Sequence, residues 1–142
     1  MTEQPVNLPV PATPVAPQPQ PMLETDARLW SMLINIATVA GAVLSGGLLG
    51  VVAVLVIWLI YRERSALVDF HGKQQLNLNI TAVLAAIVAV IGMVVTFGFG
   101  IFLFGPLILA YGIYVVVISI IAGVAANRGE YYRIPLVISF IK

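Results

Sequence analysis

Two long runs of the chain contain no charged residue at all: Leu29 to Tyr61, 33 residues, and Gln74 to Asn127, 54 residues. A bilayer core of about 30 Å takes roughly 20 helical residues. The longer run therefore predicts two membrane-spanning helices, at about Leu76–Phe97 and Pro106–Asn127, broken at Gly98, Gly100 and Gly105-Pro106. As one helix the shorter run would be about 50 Å long, so a break is needed there too. Ser45-Gly46-Gly47 supplies it and leaves spans of about Ala27–Leu44 and Leu48–Tyr61. The second of these is short, and is expected to thin the bilayer locally or to shelter its turn inside protein.

Four spans place all seven basic residues on one side of the membrane: Arg28 at the start, Arg62, Arg64 and Lys73 in the middle loop, and Arg128, Arg133 and Lys142 at the end. Three spans would divide them. The positive-inside rule makes that side cytoplasmic, so both termini are expected in the cytoplasm of a multi-pass inner-membrane protein. The fold class is all-α, an integral membrane four-helix bundle of two helical hairpins with a disordered proline-rich tail. The expected organisation is a tail over 1–25, a transmembrane domain over 26–127 and an interfacial segment over 128–142. In that last segment Pro135 cannot extend a helix, and the apolar residues beyond it are too few to span.

Composition agrees with this reading and narrows it. Hydrophobic residues make up 61% and charged residues 9% of the 142 positions, whereas soluble domains run near a quarter charged. Seven of the nine prolines lie within residues 1–22, which have almost no charge and cannot form a core. That stretch lacks the basic start and long apolar run of a signal peptide. A net charge of +1, with acids among the bases, gives no basic patch for nucleic acid. The absence of cysteine excludes disulfides, thiol catalysis and thiolate metal sites.

The stretch that attracts chemistry is LVDFHGKQQLNLNIT, Leu67 to Thr81, which holds the only histidine. Asp69 stands two residues from His71, a spacing that does not share a helix face. The serine of VLSGG is predicted at the far side of the bilayer, and it lacks the preceding glycine of rhomboid-type intramembrane proteases. Catalysis is therefore not expected. One histidine, no cysteine and no acid inside a span leave too few ligands for a metal, and no cofactor motif is present.

A helix entering the membrane explains the stretch better. Asp69 can cap it, as Asp26 can cap the first span, and Lys73 can snorkel. At 100° per residue Gln74, Asn77 and Thr81 form one stripe, and Gln75 and Asn79 another. Amides in lipid look for partners on other helices, so packing on both sides is expected, with Asn35 of the first span within reach. Trp30, Trp58, Tyr61, Tyr131 and Tyr132 form an aromatic belt at the charged side. The candidate interaction band comprises Asn35, Trp58, Asp69, His71, Gln74, Gln75, Asn77, Asn79, Thr81, Tyr131, Tyr132 and Arg133.

The runs RLWSML, VLVIWLIYRERSALVDFHGKQQLNLNIT and AANRGEYYRIPLVISFIK, above all the spacing of Trp58, Asp69, His71, Gln75 and Asn77 and the closing GEYYRIP, resemble the bacterial Tic-twenty-like family. That family is related to the twenty-kilodalton subunit of the translocon at the inner chloroplast envelope. The resemblance covers about Arg28–Lys142 and departs at VLSGGLLG and LNLNIT. It implies four membrane helices and a part in protein translocation. The function expected is that of a non-enzymatic membrane subunit docking partners or assisting translocation or complex assembly. The alternative is a small homo-oligomeric channel or transporter. The partners expected are the lipid bilayer and other membrane proteins or a second copy of the chain, and no nucleic acid.

Overall fold

A computed structural model describes residues 19–142, and the greater part of the expected tail lies outside the described residues. The described chain is a bundle of α1 (Glu24–Ser45), α2 (Leu48–Tyr61), α3 (Ala66–Val95) and α4 (Ile101–Asn127). No described residue lies in a strand, and the chain is an all-α membrane bundle of two hairpins. Helices α1, α3 and α4 are long and apolar enough to cross a bilayer; α2 is a shorter apolar helix. Helices α1 and α3 form the middle of the bundle and touch each other, and each also packs on both α2 and α4. Helices α2 and α4 lie at opposite corners and do not touch.

The α1–α2 turn falls where Ser45-Gly46-Gly47 places it. Both glycines adopt left-handed backbone, Gly46 at φ 61° and Gly47 at φ 105°, a region that costs a residue without Cβ nothing. The hairpin closes on a second pair of glycines. A Cβ at Gly41 would collide with the backbone of Gly50, so the two helices cross in direct backbone contact there.

The α3–α4 hairpin departs from the expected boundaries. Helix α3 begins at Ala66, ten residues before Leu76, because Ser65 caps it: the Ser65 hydroxyl accepts from the Val68 amide at 3.4 Å. Asp69 is therefore not the cap but lies in the first turn, free to bond elsewhere. Asp26 likewise lies inside the first turn of α1, whose N-cap is Leu23. Helix α4 begins at Ile101, so Gly105-Pro106 is not a break. Pro106 is the sixth residue of α4, past the four amides that have no intrahelical acceptor, so it forgoes one bond, to the Phe102 carbonyl, and the helix runs on through it.

At the charged end the Met22 amide donates to the Arg64 carbonyl at 2.9 Å, and Arg28 lies over Gly129. The start of α1, the 62–65 loop and the segment after α4 thus share one end of the bundle. The core there joins Ile34, Val54, Trp58, Val68 and Leu76. A second cluster of Leu78, Val115, Ile118, Ala122 and Ile134 joins α3, α4 and the carboxyl-terminal segment.

Candidate functional site

The polar residues of α3 project in three directions, each with its own partner. His71, Gln75 and Asn79 recur every four residues and face α1 and α4. The Gln75 side-chain amide donates to Asn35 Oδ1, while Gln75 Oε1 accepts from the Ser119 hydroxyl of α4 at 3.3 Å. Asn79 donates to Thr38 Oγ1 at 3.0 Å and to the Gln75 carbonyl at 2.9 Å. Asn35 Nδ2 donates to the Ser31 carbonyl at 2.7 Å and lies 3.4 Å from His71 Nδ1. The other ring nitrogen, Nε2, is 2.9 Å from the Glu130 carbonyl. A neutral imidazole protonated on Nε2 donates to that carbonyl and accepts from Asn35, which assigns the tautomer from the network. Asn35, Thr38, His71, Gln75 and Ser119 are entirely buried.

The second direction holds the chain after α4. Asn77 Oδ1 accepts from the backbone amides of Phe140 and Ile141 at 3.0 and 2.8 Å, and Asn77 Nδ2 donates to the Ile141 carbonyl at 2.9 Å. Gln74 Oε1 accepts from the Ile134 amide at 3.1 Å and Thr81 Oγ1 from the Ile138 amide at 3.2 Å. Residues 130–142 thus lie against α3 in non-helical form, reaching from Gln74 to Thr81, about 10 Å along the helix, before doubling back to Asn77. Such a backbone at membrane depth needs its polar groups satisfied by protein. The Gln74/Asn77/Thr81 stripe does this.

The third direction is the charged end. The indole of Trp58 donates to Asp69 Oδ1 at 2.8 Å, and Lys73 Nζ lies 2.7 Å from Asp69 Oδ2. Gly72 lets α3 approach so closely that a Cβ would meet the Trp58 ring. The Arg62 guanidinium lies 5.1 Å from the centre of that ring. Tyr131 packs edge-on against Phe70 with centroids 5.2 Å apart. A cleft of about 590 Å³ between α3 and the carboxyl-terminal segment is lined by Asp69, Lys73, Tyr131 and Arg133 among others.

The candidate band is therefore not one surface. Asn35, Trp58, His71, Gln75, Asn77 and Asn79 are buried. Tyr131 and Arg133 are exposed, with Tyr132, Asp69, Gln74 and Thr81 intermediate. Sequence reading missed Ser119, Ser65 and the Glu130 carbonyl. Ser119 stands four residues from Gly123, a small-residue spacing common in membrane helices, and a backbone carbonyl has no sequence signal. Among the described residues no three His, Cys, Asp or Glu side chains gather around a point that would hold one metal ion.

These features define a small helical membrane protein whose intramembrane side-chain amides are bonded within the chain, while the buried hydroxyls of Ser31 and Tyr111 have no partner. Residues 26–141 match the magnetosome magnetite crystal formation protein family, and the chain belongs to that family. No curated protein matches the chain, and no solved structure does. The match over 26–141 corrects the Tic-twenty-like resemblance, since it assigns a different family, and the translocation role implied by that resemblance loses its support. The residues behind the resemblance are an aromatic belt, a charged loop leading into a polar helix start, and a tyrosine-rich end. Aromatic and basic residues are enriched at the interfacial ends of membrane helices in general, so they do not separate one family from another.

Proposed function

We propose that the protein acts in magnetite crystal formation at the magnetosome membrane as a non-enzymatic subunit that organises other membrane components through its charged end. The family membership supports the setting. One observation carries the mode of action. The intramembrane side-chain amides of α1 and α3 are engaged inside the bundle, while exposed polar side chains cluster at the charged end, around Glu24–Asp26, Arg62–Arg64, Arg128–Glu130 and Tyr131–Arg133, where Gly129 and Tyr132 are half-buried.

The same observation weighs against the homo-oligomeric channel as the alternative. Its lining would be Asn35, Gln74, Asn77 and Thr81, and each already bonds within its own chain.

The test replaces Arg62, Arg64 and Arg133 with glutamate in a cell that forms crystals. Variant and parent are purified in native lipid particles, and co-purifying membrane proteins are identified by mass spectrometry. The reading requires that the variant reach the membrane at parental abundance, lose associated proteins and yield crystals of altered size or number. Unchanged association and unchanged crystals would refute it.

A further inference from the structure

The two hairpins differ in reach, and two contacts across the bundle measure the difference. Thr38 of α1 meets Asn79 of α3. From that contact α1 continues seven residues to Ser45, whereas α3 continues sixteen to Val95. Asn35 of α1 lies against Gly123 of α4. From there α1 continues ten residues to Ser45, and α4 reaches back twenty-two to Ile101. At 1.5 Å per residue the α3–α4 hairpin outreaches α1–α2 by roughly 13 to 18 Å, about half of a 30 Å hydrocarbon core.

The outlying half has the surface of a lipid-facing element. Val94, Val95, Phe97, Phe99 and Phe102 are each at least 70% exposed. Above the α1–α2 turn is a notch of about 540 Å³, bounded by Gly46, Gly47 and Leu48 below and by Val90, Ile91 and Ile108 on the longer hairpin. The turn itself is built to end in a medium without water. Its flanks, Val43, Leu44, Leu48 and Leu49, are exposed and apolar. The Gly47 amide donates to the Gly41 carbonyl at 2.9 Å, and the Leu49 amide to Ser45 Oγ at 2.9 Å. Backbone groups in hydrocarbon need such internal partners.

Four helices therefore displace lipid in the leaflet at the charged end, and two in most of the opposite leaflet. With helices about 10 Å across, the protein takes up roughly twice the area in one leaflet that it takes in the other. A flat bilayer must stretch or thin to fill the notch, at a cost that grows with each ångström of mismatch. A bilayer that is convex on the charged side brings the far-leaflet lipids together and fills it.

We propose that the protein is a wedge whose partner is a curved bilayer: it partitions to, and stabilises, membrane that is convex on the side of its charged end.

The full chain, carrying a fluorophore, is reconstituted into phosphatidylcholine–phosphatidylglycerol vesicles of mixed diameter, and protein density is read vesicle by vesicle. Molecules with the charged end outward are selected by an impermeant tag at a cysteine introduced as Glu63→Cys. Density of these molecules should rise several-fold as diameter falls. It should become flat when three helical turns of leucine and alanine, about 16 Å, are inserted on each side of Gly46-Gly47, and also when the α3–α4 tip is shortened to match. Equal density at all diameters in the parent chain would overturn the proposal.

Depth measurements provide a second, independent reading. Spin labels at Leu44→Cys and Phe99→Cys should differ: the first reached by oxygen and shielded from an aqueous nickel complex, the second reached by both. Equal nickel access at the two positions would place both turns at the far surface and remove the wedge.

Discussion

Gln75 is a hub: it donates to Asn35 and accepts from Ser119, so it ties α3 to both α1 and α4. Interhelical hydrogen bonds inside a membrane bundle contribute about 0.6 to 2 kcal/mol each, and removing one partner also strands the other. Gln75→Leu should therefore lower stability in lipid by about 1 to 3 kcal/mol, as read by unfolding from mixed micelles. In Asn35→Leu/Gln75→Leu the second change should cost much less than it does alone, because Asn35 Oδ1 is no longer there to be stranded. Additive losses would show that the two side chains act separately. Asn77 makes a different kind of bond, to backbone rather than side chain. Asn77→Leu should leave the bundle folded and release the end of the chain. Amide exchange should then accelerate at Phe140 and Ile141 and stay unchanged through α4.

Among the elements, the α1–α2 hairpin depends on how closely two backbones approach. A Cβ at Gly41 would overlap backbone atoms of Gly50, which cannot move away as a side chain can. A Cβ at Gly50 would rest 3.4 Å from the Ala37 carbonyl and the Thr38 Cα, at the edge of ordinary contact. Gly41→Ala should therefore lower the thermal unfolding temperature well below that of the parent, and Gly50→Ala should change it little. Equal effects would mean that the helices can separate without loss. The sequence told most about this hairpin and least about the other, for a physical reason. Helix α2 is announced at both ends, by Gly46-Gly47 and by the charges from Arg62, so Leu48–Tyr61 can be read directly. Helix α3 hides where it starts, because Asp69 reads as its cap, and the roles of Asp69 and Gln74 stay hidden until their partners are known. Those partners are Trp58, and the backbone of residues 134–141, both remote in the chain. The two-sided polarity of α3 was visible as spacing. That one side holds backbone rather than a helix was not, since backbone groups are the same at every position.

The whole molecule has one charged end. Arg28, Arg62, Arg64, Arg128 and Arg133 lie where the start of α1, the 62–65 loop and the segment after α4 meet, and the opposite turns have no charged residue. Basic residues flanking membrane helices are retained on the cytoplasmic side, so the charged end should face the cytoplasm. The absence of cysteine allows a clean measurement, because every introduced thiol is the only one. Glu63→Cys and Glu130→Cys should resist an impermeant maleimide in cells whose outer envelope alone has been opened, and should react once the inner membrane is broken. Phe99→Cys, at the uncharged tip, should stay protected until the magnetosome membrane itself is dissolved in detergent. The opposite pattern would turn the protein over without altering a contact in it. It would also reverse which leaflet holds four helices, and with it the sign of the curvature that the wedge favours. Labelling that shows both Glu63→Cys and Phe99→Cys on the same side would mean that the α3–α4 hairpin does not cross. The unequal reach of the two hairpins would then no longer map onto the two leaflets.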